Sequence, residues 1–287
     1  MRGVKILSIQ SSVAYGHVGN SAAVFPLQRL GHEVWPVLTV HFSNHTGYGA
    51  WRGPLLAPDD VAAVITGIAE RGVLGQCDAV LSGYQGGAGI AEVILSAVEQ
   101  VKAANPAATY TCDPVMGNAT SGCFVDPAIP PIIREQVVPK ADLITPNQFE
   151  LGFLTDTTPL SLAETLESAD LARAMGPSTV LVTSVFDGDA EAAETIGMLA
   201  VNGDGAWLVE TPRLPMKANG SGDITAALFT AHLHETGSPA EALARTASSV
   251  HAVLKETLES GERELRLIAA QDAIADPACE FEVRQVR

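Results

Sequence analysis

The chain has 287 residues, of which 47% are hydrophobic and 17% are charged, so it can bury a large core and is too apolar for an intrinsically disordered chain. The 17 Lys and Arg residues against 33 Asp and Glu residues give a formal net charge of −16, which argues against nucleic acids and acidic membrane surfaces as partners. The four cysteines lack the density of a disulfide scaffold and the spacing of a metal site, and no apolar run has the length of a membrane span, so we expect a cytoplasmic protein.

Strands and helices alternate along the first two thirds of the sequence. Short apolar runs predict strands at residues 4–9, 33–40, 79–82, 109–112, 142–145 and 179–183. Helical spacing between Gly and Pro boundaries predicts helices at residues 20–30, 59–71 and 88–105. We expect the Asn20 and Ser21 pair to cap the first of these helices.

A hairpin and three helices are predicted after the last of these strands. Residues 195–201 and 206–210, separated by Asn-Gly-Asp-Gly, predict an antiparallel hairpin near the sheet edge. Helices are predicted at residues 222–235, 239–258 and 264–275. This order is typical of an α/β fold with a mostly parallel sheet and helices on both faces. No stretch has the composition of a linker, so we expect one domain over residues 1–287.

Polar motifs follow the predicted strands where each strand ends. In open α/β sheets, ligands bind at the carboxyl ends of the strands. The motifs are Gln10-Ser11-Ser12, Ser82-Gly83-Tyr84, Asp113, Thr145-Pro146-Asn147 and Thr183-Ser184. Their placement predicts one shared cleft.

The sequence Asn-Gly-Ser-Gly-Asp at residues 219–223 precedes an apolar helical run. Glycines 220 and 222 and the first amides of a helix predict an anion site, because the unpaired N–H groups and the helix dipole converge there. Asp223 is placed to accept a proton from a substrate hydroxyl during phosphoryl transfer. The alternative is an ordinary glycine loop with Asp223 stabilising a helix N-terminus.

Two further patterns predict a metal site and a pocket for a flat ring. Asp113 and Glu150 supply hard oxygen ligands of the kind that magnesium prefers, although each is also common as a turn residue or a solvated helix residue. Val18 and Tyr84 could enclose a heteroaromatic ring, with Ser11 and Thr46 bonding its substituents. These residues alone do not identify which heteroaromatic ring is bound.

Several segments of the sequence resemble those of a known family. The segments SSVAYGHVGNSAA, TVHFSNHTGYG, DAVLSGY, CDPVMG, VVPKADLITPNQFE and NGSGD resemble pyridoxal kinases of the ribokinase-like superfamily. The resemblance implies a three-layer α/β/α sandwich, a homodimer, and transfer of the γ-phosphoryl group of ATP to the 5′-hydroxyl of pyridoxal, pyridoxine or pyridoxamine. A hydroxymethylpyrimidine kinase and a non-catalytic protein that binds B6 vitamers are the competing hypotheses.

The resemblance also implies roles for individual residues. Asp223 resembles the catalytic base, with Gly220, Ser221 and Gly222 as the anion hole, and Ser11, Val18, Thr46, Gly47 and Tyr84 as the vitamer pocket. Asp113, Thr145, Asn147 and Glu150 correspond to the magnesium and phosphate network, with Asp113 and Glu150 nearest the metal, and Thr183 and Ser184 to the nucleotide-contacting strand end. The implied cofactors are magnesium and ATP as co-substrate. A requirement for a monovalent cation and the adenine contacts stay open.

Residues 117–126 are suited to a small lid, and they contain Cys123. A thiol there could add reversibly to the 4′-aldehyde of pyridoxal, which pyridoxine lacks; the alternative is an uninvolved lid thiol. For His17, His41 and His45 we favour hydrogen bonding within loops over catalysis. The acidic residues near the C-terminus, including Glu262 and Glu264, are interpreted as a solvated face.

Overall fold

The structure is a computed structural model that describes residues 3–287. Its strands are β1 (Lys5–Val13), β2 (Glu33–Phe42), β3 (Ala79–Ser82), β4 (Thr109–Cys112), β5 (Gly117–Asn118), β6 (Gly122–Cys123), β7 (Leu143–Ile144), β8 (Thr179–Val185), β9 (Thr195–Val201), β10 (Ala206–Pro212) and β11 (Val283–Gln285). Its α-helices are α1 (Asn20–Arg29), α2 (Pro58–Ala69), α3 (Ile90–Ala104), α4 (Ile129–Ile132), α5 (Gln148–Thr155), α6 (Leu162–Ala174), α7 (Ser221–Thr236), α8 (Pro239–Ser260) and α9 (Gln271–Ala275).

Nine of these strands form the central sheet, in the order β11-β10-β9-β8-β7-β4-β3-β1-β2. In this sheet the pairs β2–β1, β1–β3, β3–β4, β4–β7 and β7–β8 are parallel. The pairs β8–β9, β9–β10 and β10–β11 are antiparallel. The mostly parallel α/β sheet is therefore confirmed. The predicted β9–β10 hairpin forms, but β11, which the sequence analysis missed, lies outside it as the edge strand.

Both faces of the sheet are covered by buried apolar residues, which makes three layers. In β1 and β3, Leu7 and Val80 contribute to the core on one face, where α2 and α3 pack. Ile6 and Leu81 contribute to the core on the other face, where α1 and α7 pack. Successive strand residues point to opposite faces, so a strand buried on both sides is a continuous apolar run. This explains why the parallel strands could be predicted from their composition.

The prediction that Asn20 caps α1 is wrong. Gly19 is the N-cap residue, and no side chain caps the helix. The buried Asn20 amide instead donates hydrogen bonds to the carbonyl oxygens of Ser8, Gln10 and Val37, at 3.3, 3.3 and 3.0 Å. It joins β1 to β2, which is a tertiary role that the local pattern does not show.

The predicted helix at residues 264–275 is also wrong over most of its length, because only Gln271–Ala275 is helical. Leu265 and Leu267 are both buried, and a spacing of two residues fits turn or extended backbone better than a helix. Helix α6 was not predicted, although its capping box, Ser161 with Glu164, is a local signal that could have located it. Among the described residues, no helix is both long and apolar enough to cross a membrane.

Candidate active site

The carboxyl ends of five parallel strands meet at one edge of the sheet, where the predicted site residues lie. Hydrogen bonds continue the strand pairing past the strand ends. The amide of Asp113 donates to the Ser82 carbonyl at 2.8 Å, Thr145 donates to Cys112 at 3.1 Å, and Thr183 donates to Pro146 at 2.9 Å. The strand ends that carry the predicted motifs are therefore neighbours in the sheet.

The anion loop is built from backbone at the start of α7. Gly220 is the N-cap residue with φ 87°, in the left-handed region that favours glycine, and no side chain caps the helix. A Cβ atom at Gly220 would lie 1.9 Å from the His17 carbonyl oxygen, whereas a Cβ atom at Gly222 would meet nothing within 4 Å. The first amides of a 16-residue helix are thus left uncapped beside open space, which suits an anionic ligand.

Asp223 lies in the first turn of α7 and is partly buried. Burial raises the pKa of its carboxyl group, and the backbone amides of Gly19 and of Asp223 itself partly oppose the rise. A Cβ atom at Gly19 would lie 2.2 Å from the Ser11 carbonyl oxygen. Gly19 therefore brings the first loop into contact with both Asp223 and Ser11, so the candidate base lies beside the candidate vitamer pocket.

Three carboxyl groups influence one another at this edge. Burial is the main cause that raises the pKa of Asp113 well above its usual value, and the charges of Glu150 and Asp223 raise it further. Burial also raises the pKa of Glu150 to about 7, although hydrogen bonds from the amides of Met116, Asn147 and Gly117 oppose the rise. Carboxyl groups that are buried together favour a bound cation, because it would stabilise their charged forms.

These carboxyl groups fit a magnesium ion only if other ligands complete its coordination. No three or more His, Cys, Asp or Glu residues in the described chain are grouped to hold a metal ion. Magnesium is commonly bound by one or two carboxylates together with waters and phosphate oxygens. Asp113 could serve as such a carboxylate, so the site fits an ion that arrives with a nucleotide better than an ion that is bound permanently.

Glu150 has a structural role that the sequence analysis did not foresee. Its Oε1 accepts hydrogen bonds from the amides of Met116 and Gly117 at 2.9 and 3.2 Å, and its Oε2 accepts one from the Asn147 amide at 3.0 Å. The Asn147 side chain accepts from the Glu150 amide and donates to the Gly117 carbonyl. Glu150 and Asn147 thus join the start of α5 to the base of the β5–β6 hairpin.

The pKa of Glu150 predicts a pH-dependent stability. Its usual pKa of 4.5 applies when the chain is unfolded and about 7 when it is folded, so the unfolded chain holds fewer protons between these values. The contribution of Glu150 to the free energy of unfolding of the metal-free protein should fall by about 2 to 3 kcal/mol as the pH rises from 5 to 7, and then level off. Denaturant unfolding from pH 5 to 8 measures this.

Glu150→Gln should flatten that dependence. Glu164→Gln is the matched control, because Glu164 occupies the same capping-box position in α6 but is exposed. Backbone hydrogen bonds lower its pKa, so its contribution is lost at acid pH and is already constant above pH 5. Equal slopes for the wild type and Glu150→Gln would contradict the assignment.

The predicted vitamer pocket has an apolar wall. Val13, Val18, Val40 and Phe42 form a small buried cluster against the partly buried Tyr84. Burial, and then the charge of Asp126, raise the pKa of Tyr84. Ser11 is also buried, whereas Thr46 and Gly47 are exposed in a 3-10 turn, Thr46–Tyr48.

The two loops of this pocket also reach the anion loop. A Cβ atom at Gly47 would lie 3.8 Å from the side-chain nitrogen of Asn219. His45 Nδ1 accepts a hydrogen bond from the Gly47 amide at 3.1 Å, and His17 Nδ1 lies 3.1 Å from the Ser21 carbonyl oxygen. His45 therefore forms a hydrogen bond within its own loop, whereas His17 contacts the carbonyl of a residue in α1.

The candidate nucleotide end contains a strained residue. The pairing of β8 with β9 is irregular between Val182 and Val185, and Ser184 in this bulge has φ 53°. Non-glycine residues in this conformation cost energy and are concentrated at functional sites. Ser184 is exposed, whereas Thr183 is partly buried.

Arg213 forms a contact near the candidate nucleotide end that was not predicted from the sequence. The Arg213 guanidinium lies 5.4 Å from the centre of the Phe186 ring, and its Nη1 donates to the carbonyls of Glu191 and Ala193 at 3.4 Å. Arg213 therefore holds the loop that follows β8. No local signal could have revealed this contact, because the partners lie 20 or more residues apart in the sequence.

Cys123 lies in the β5–β6 hairpin, within the predicted lid. It pairs with Gly117, is exposed and forms no disulfide. A Cβ atom at Gly117 would lie 2.3 Å from the Gly122 carbonyl oxygen, so this position requires glycine. Since Glu150 binds the Met116 and Gly117 amides, the hairpin that carries the thiol is fixed at its base.

The fold and site together are those of a kinase that acts on a small molecule, and comparisons with known proteins agree. The model of the phosphomethylpyrimidine kinase family matches residues 62–267. A solved structure of pyridoxal kinase from Leishmania donovani in complex with ADP and pyridoxamine has a TM-score of 0.92 at 28% identity, with 99% of each chain covered.

Two curated relatives that align over nearly their whole length identify the group within this family to which the chain belongs. The chain is 69% identical over 283 residues to pyridoxal kinase PdxY of Leifsonia xyli, covering 99% of this chain and 100% of the relative. It is 58% identical over 283 residues to pyridoxal kinase PdxY of Corynebacterium diphtheriae, with the same coverage. The chain therefore belongs to the phosphomethylpyrimidine kinase family, and within it to the pyridoxal kinases.

Proposed function

We propose that the protein transfers the γ-phosphoryl group of ATP to the 5′-hydroxyl of pyridoxal, giving pyridoxal 5′-phosphate for the salvage of vitamin B6. Pyridoxine and pyridoxamine are proposed as further acceptors. The observation that carries the proposal is the position of Asp223, which lies beside uncapped helix amides and, through Gly19, beside the Ser11 and Val18 pocket. The names of the curated relatives support the same acceptor.

Three groups of this chain would share the chemistry. Asp223 accepts the proton of the acceptor hydroxyl as the phosphoryl group approaches. The amides at Gly220, Ser221 and Gly222 stabilise negative charge on the transferred group, and being part of a fixed helix start they need little reorganisation. Val18 and Tyr84 would orient the ring, and Thr183 and Ser184 would contact the nucleotide.

An acceptor comparison tests this function. With magnesium and ATP, ADP formation is measured for pyridoxal, pyridoxine, pyridoxamine and hydroxymethylpyrimidine. We expect kcat/KM for pyridoxal to exceed that for hydroxymethylpyrimidine by about tenfold or more, because a pocket that fits one ring rejects another by roughly this factor. The reverse order would favour a hydroxymethylpyrimidine kinase. Tight binding of pyridoxal without ADP formation would instead favour a non-catalytic vitamer-binding protein.

Magnesium is proposed as the cofactor: Asp113 would hold it, and Thr145, Asn147 and Glu150 would belong to the same network. When bound, it would neutralise phosphate charge near the carboxyl groups. The protein's net charge of −16 makes such a cation more important, because ATP is also a polyanion.

ATP affinity should therefore depend steeply on magnesium. We expect calorimetric titration to give at least about tenfold tighter binding with magnesium than with a chelator. Asp113→Asn should remove most of that difference, since it keeps the shape and removes a charge. Asp126→Asn is the control, because Asp126 is an exposed acid near the hairpin. An unchanged magnesium effect in Asp113→Asn would contradict the assignment.

Residues 117–126 are proposed as a lid whose Cys123 adds to the aldehyde of pyridoxal. In that reversible step the sulfur bonds to the 4′-carbon, the carbonyl oxygen gains the thiol proton, and a thiohemiacetal forms. Cys123→Ala should then lower kcat/KM for pyridoxal several-fold and leave pyridoxine unaffected. Cys279→Ala is a matched control, since Cys279 is also a free exposed thiol. Equal effects on both vitamers would show that the thiol is uninvolved.

We further propose that the chain forms a single kinase domain that acts as a cytoplasmic homodimer; residues 1–2 of that domain lie outside the described residues. Trp51 and Leu55, 48% and 60% exposed beside strand β2 at the sheet edge, supply apolar surface for association. Sedimentation at micromolar concentration tests the oligomeric state.

A further inference from the structure

The segment after α8 is firmly attached to the core next to the anion loop. Leu265 and Leu267 are buried against Ile224 and Leu228 of α7. The Arg266 amide donates to Thr257 Oγ1 at 3.0 Å, which fixes the segment on α8. A Cβ atom at Gly220 would lie 3.1 Å from Leu265 Cδ1, so this segment packs directly beneath the helix start.

Glu264, on this segment, contacts both loops of the candidate vitamer pocket. Its Oε2 accepts a hydrogen bond from the His17 amide at 3.1 Å, and its Oε1 accepts one from the Tyr48 hydroxyl at 2.7 Å. A Cβ atom at Gly16 would lie 2.1 Å from Oε2. The backbone of the first loop is therefore so close to the carboxylate that only glycine fits at this position. Glu264 is partly buried, which corrects its interpretation as part of a solvated face.

The neighbouring Arg263 reinforces the contact with the second loop. Its guanidinium carbon lies 3.6 Å from the centre of the Tyr48 ring, and its Nη2 donates to the Gly47 carbonyl at 2.8 Å. The Tyr15 and Tyr48 rings meet edge to face at 6.2 Å, which joins the two loops directly. The hydrogen bond to Glu264 is the main cause that raises the pKa of Tyr48 to about 12.

We propose that Arg263 and Glu264 form a clamp that holds loops 14–19 and 43–49 in the geometry that binds the phosphoryl acceptor, with Glu264 as the positioning residue. These loops carry Val18, Gly19, Thr46 and Gly47, and an ordered pocket binds its ligand without the cost of ordering the loops first. The inference rests on the proposed function, because it assigns the loops to the vitamer. Glu264 touches neither reacting group; it acts through His17 and Tyr48.

The clamp predicts an effect on one substrate only. Glu264→Ala should raise the KM for pyridoxal about tenfold, the usual consequence of losing a hydrogen bond to a charged group, with kcat and the KM for ATP within about twofold of the wild type. Glu264→Gln, which can still accept from the His17 amide and bond Tyr48, should recover most of the affinity. Tyr48→Phe should raise the KM less than Glu264→Ala and add nothing in the double variant.

The experiment is steady-state kinetics of the wild type, Glu264→Ala, Glu264→Gln, Tyr48→Phe and the double variant, with melting temperatures measured alongside. Glu262→Ala is the control, because Glu262 is an exposed acid two residues away. A wild type that does not phosphorylate pyridoxal would overturn the proposed function. An active wild type whose variants keep its KM for pyridoxal, or lose affinity for ATP and pyridoxal equally, would overturn the clamp alone. If Glu264→Ala does not fold, Tyr48→Phe decides, since it removes only a hydroxyl group.

Discussion

We expect Asp223→Asn to lower kcat with pyridoxal by about 10²- to 10⁴-fold and to leave the affinity for magnesium-bound ATP within a few-fold of the wild type. Asn has nearly the same shape as Asp, but it cannot take a proton from the acceptor hydroxyl. Because burial raises the pKa of Asp223, the neutral amide should not destabilise the fold, and the melting temperature of the metal-free protein should be equal or higher. Stopped-time assays of product and nucleotide titrations measure both quantities.

Asp60→Asn is the matched control for Asp223→Asn. Asp60 also lies in the first turn of a helix, α2, but it is exposed. If Asp223 only stabilised a helix dipole, both substitutions would change stability slightly and activity little. Wild-type turnover in a folded Asp223→Asn protein would remove the general-base assignment.

We expect Gly220→Ala to lower kcat/KM for ATP by about 10²-fold or more. The added methyl group would lie 1.9 Å from the His17 carbonyl oxygen, and φ 87° is strained for alanine, so both the loop and the helix start must shift. A displacement of about an ångström at the amides that bind phosphate is sufficient for such a loss. The melting temperature should fall as well.

Two further glycines separate the causes of that loss. Gly237, at the other end of α7, has φ 64° and open space, so Gly237→Ala carries the backbone strain without touching the site and should lower stability alone. Gly222→Ala should keep the melting temperature but weaken ATP binding, because its methyl group occupies the space proposed for a phosphate oxygen. Full activity in Gly222→Ala would contradict the proposed anion hole.

The fold and the strand-end motifs could be predicted because their signals are local. A parallel strand buried on both faces is a short apolar run, and polar residues that directly follow such runs meet at one sheet edge, as Asp113 and Thr145 do. The Gly220 loop was recognisable for the same reason, since its glycines and the helix that follows are contiguous in sequence.

Contacts between distant segments could not be predicted in this way. Asn20 has the composition of a helix cap, yet its amide joins two strands. Glu264 lies in an acidic stretch that is typical of a solvated surface, and its partners His17 and Tyr48 are more than 200 residues away. Glu150 was predicted from its charge as a metal neighbour, whereas two of the three amides that bind its carboxylate, those of Met116 and Gly117, belong to another loop.

The identity of the phosphorylated product tests the central claim most directly. The wild type and Asp223→Asn are incubated with magnesium, ATP and pyridoxal, and the products are separated and identified by mass and by phosphorus NMR. We predict one pyridoxal 5′-phosphate for each ADP formed by the wild type, and almost none from Asp223→Asn. ADP formation by the wild type without a phosphorylated vitamer, or phosphate on a position other than the 5′-oxygen, would contradict the account.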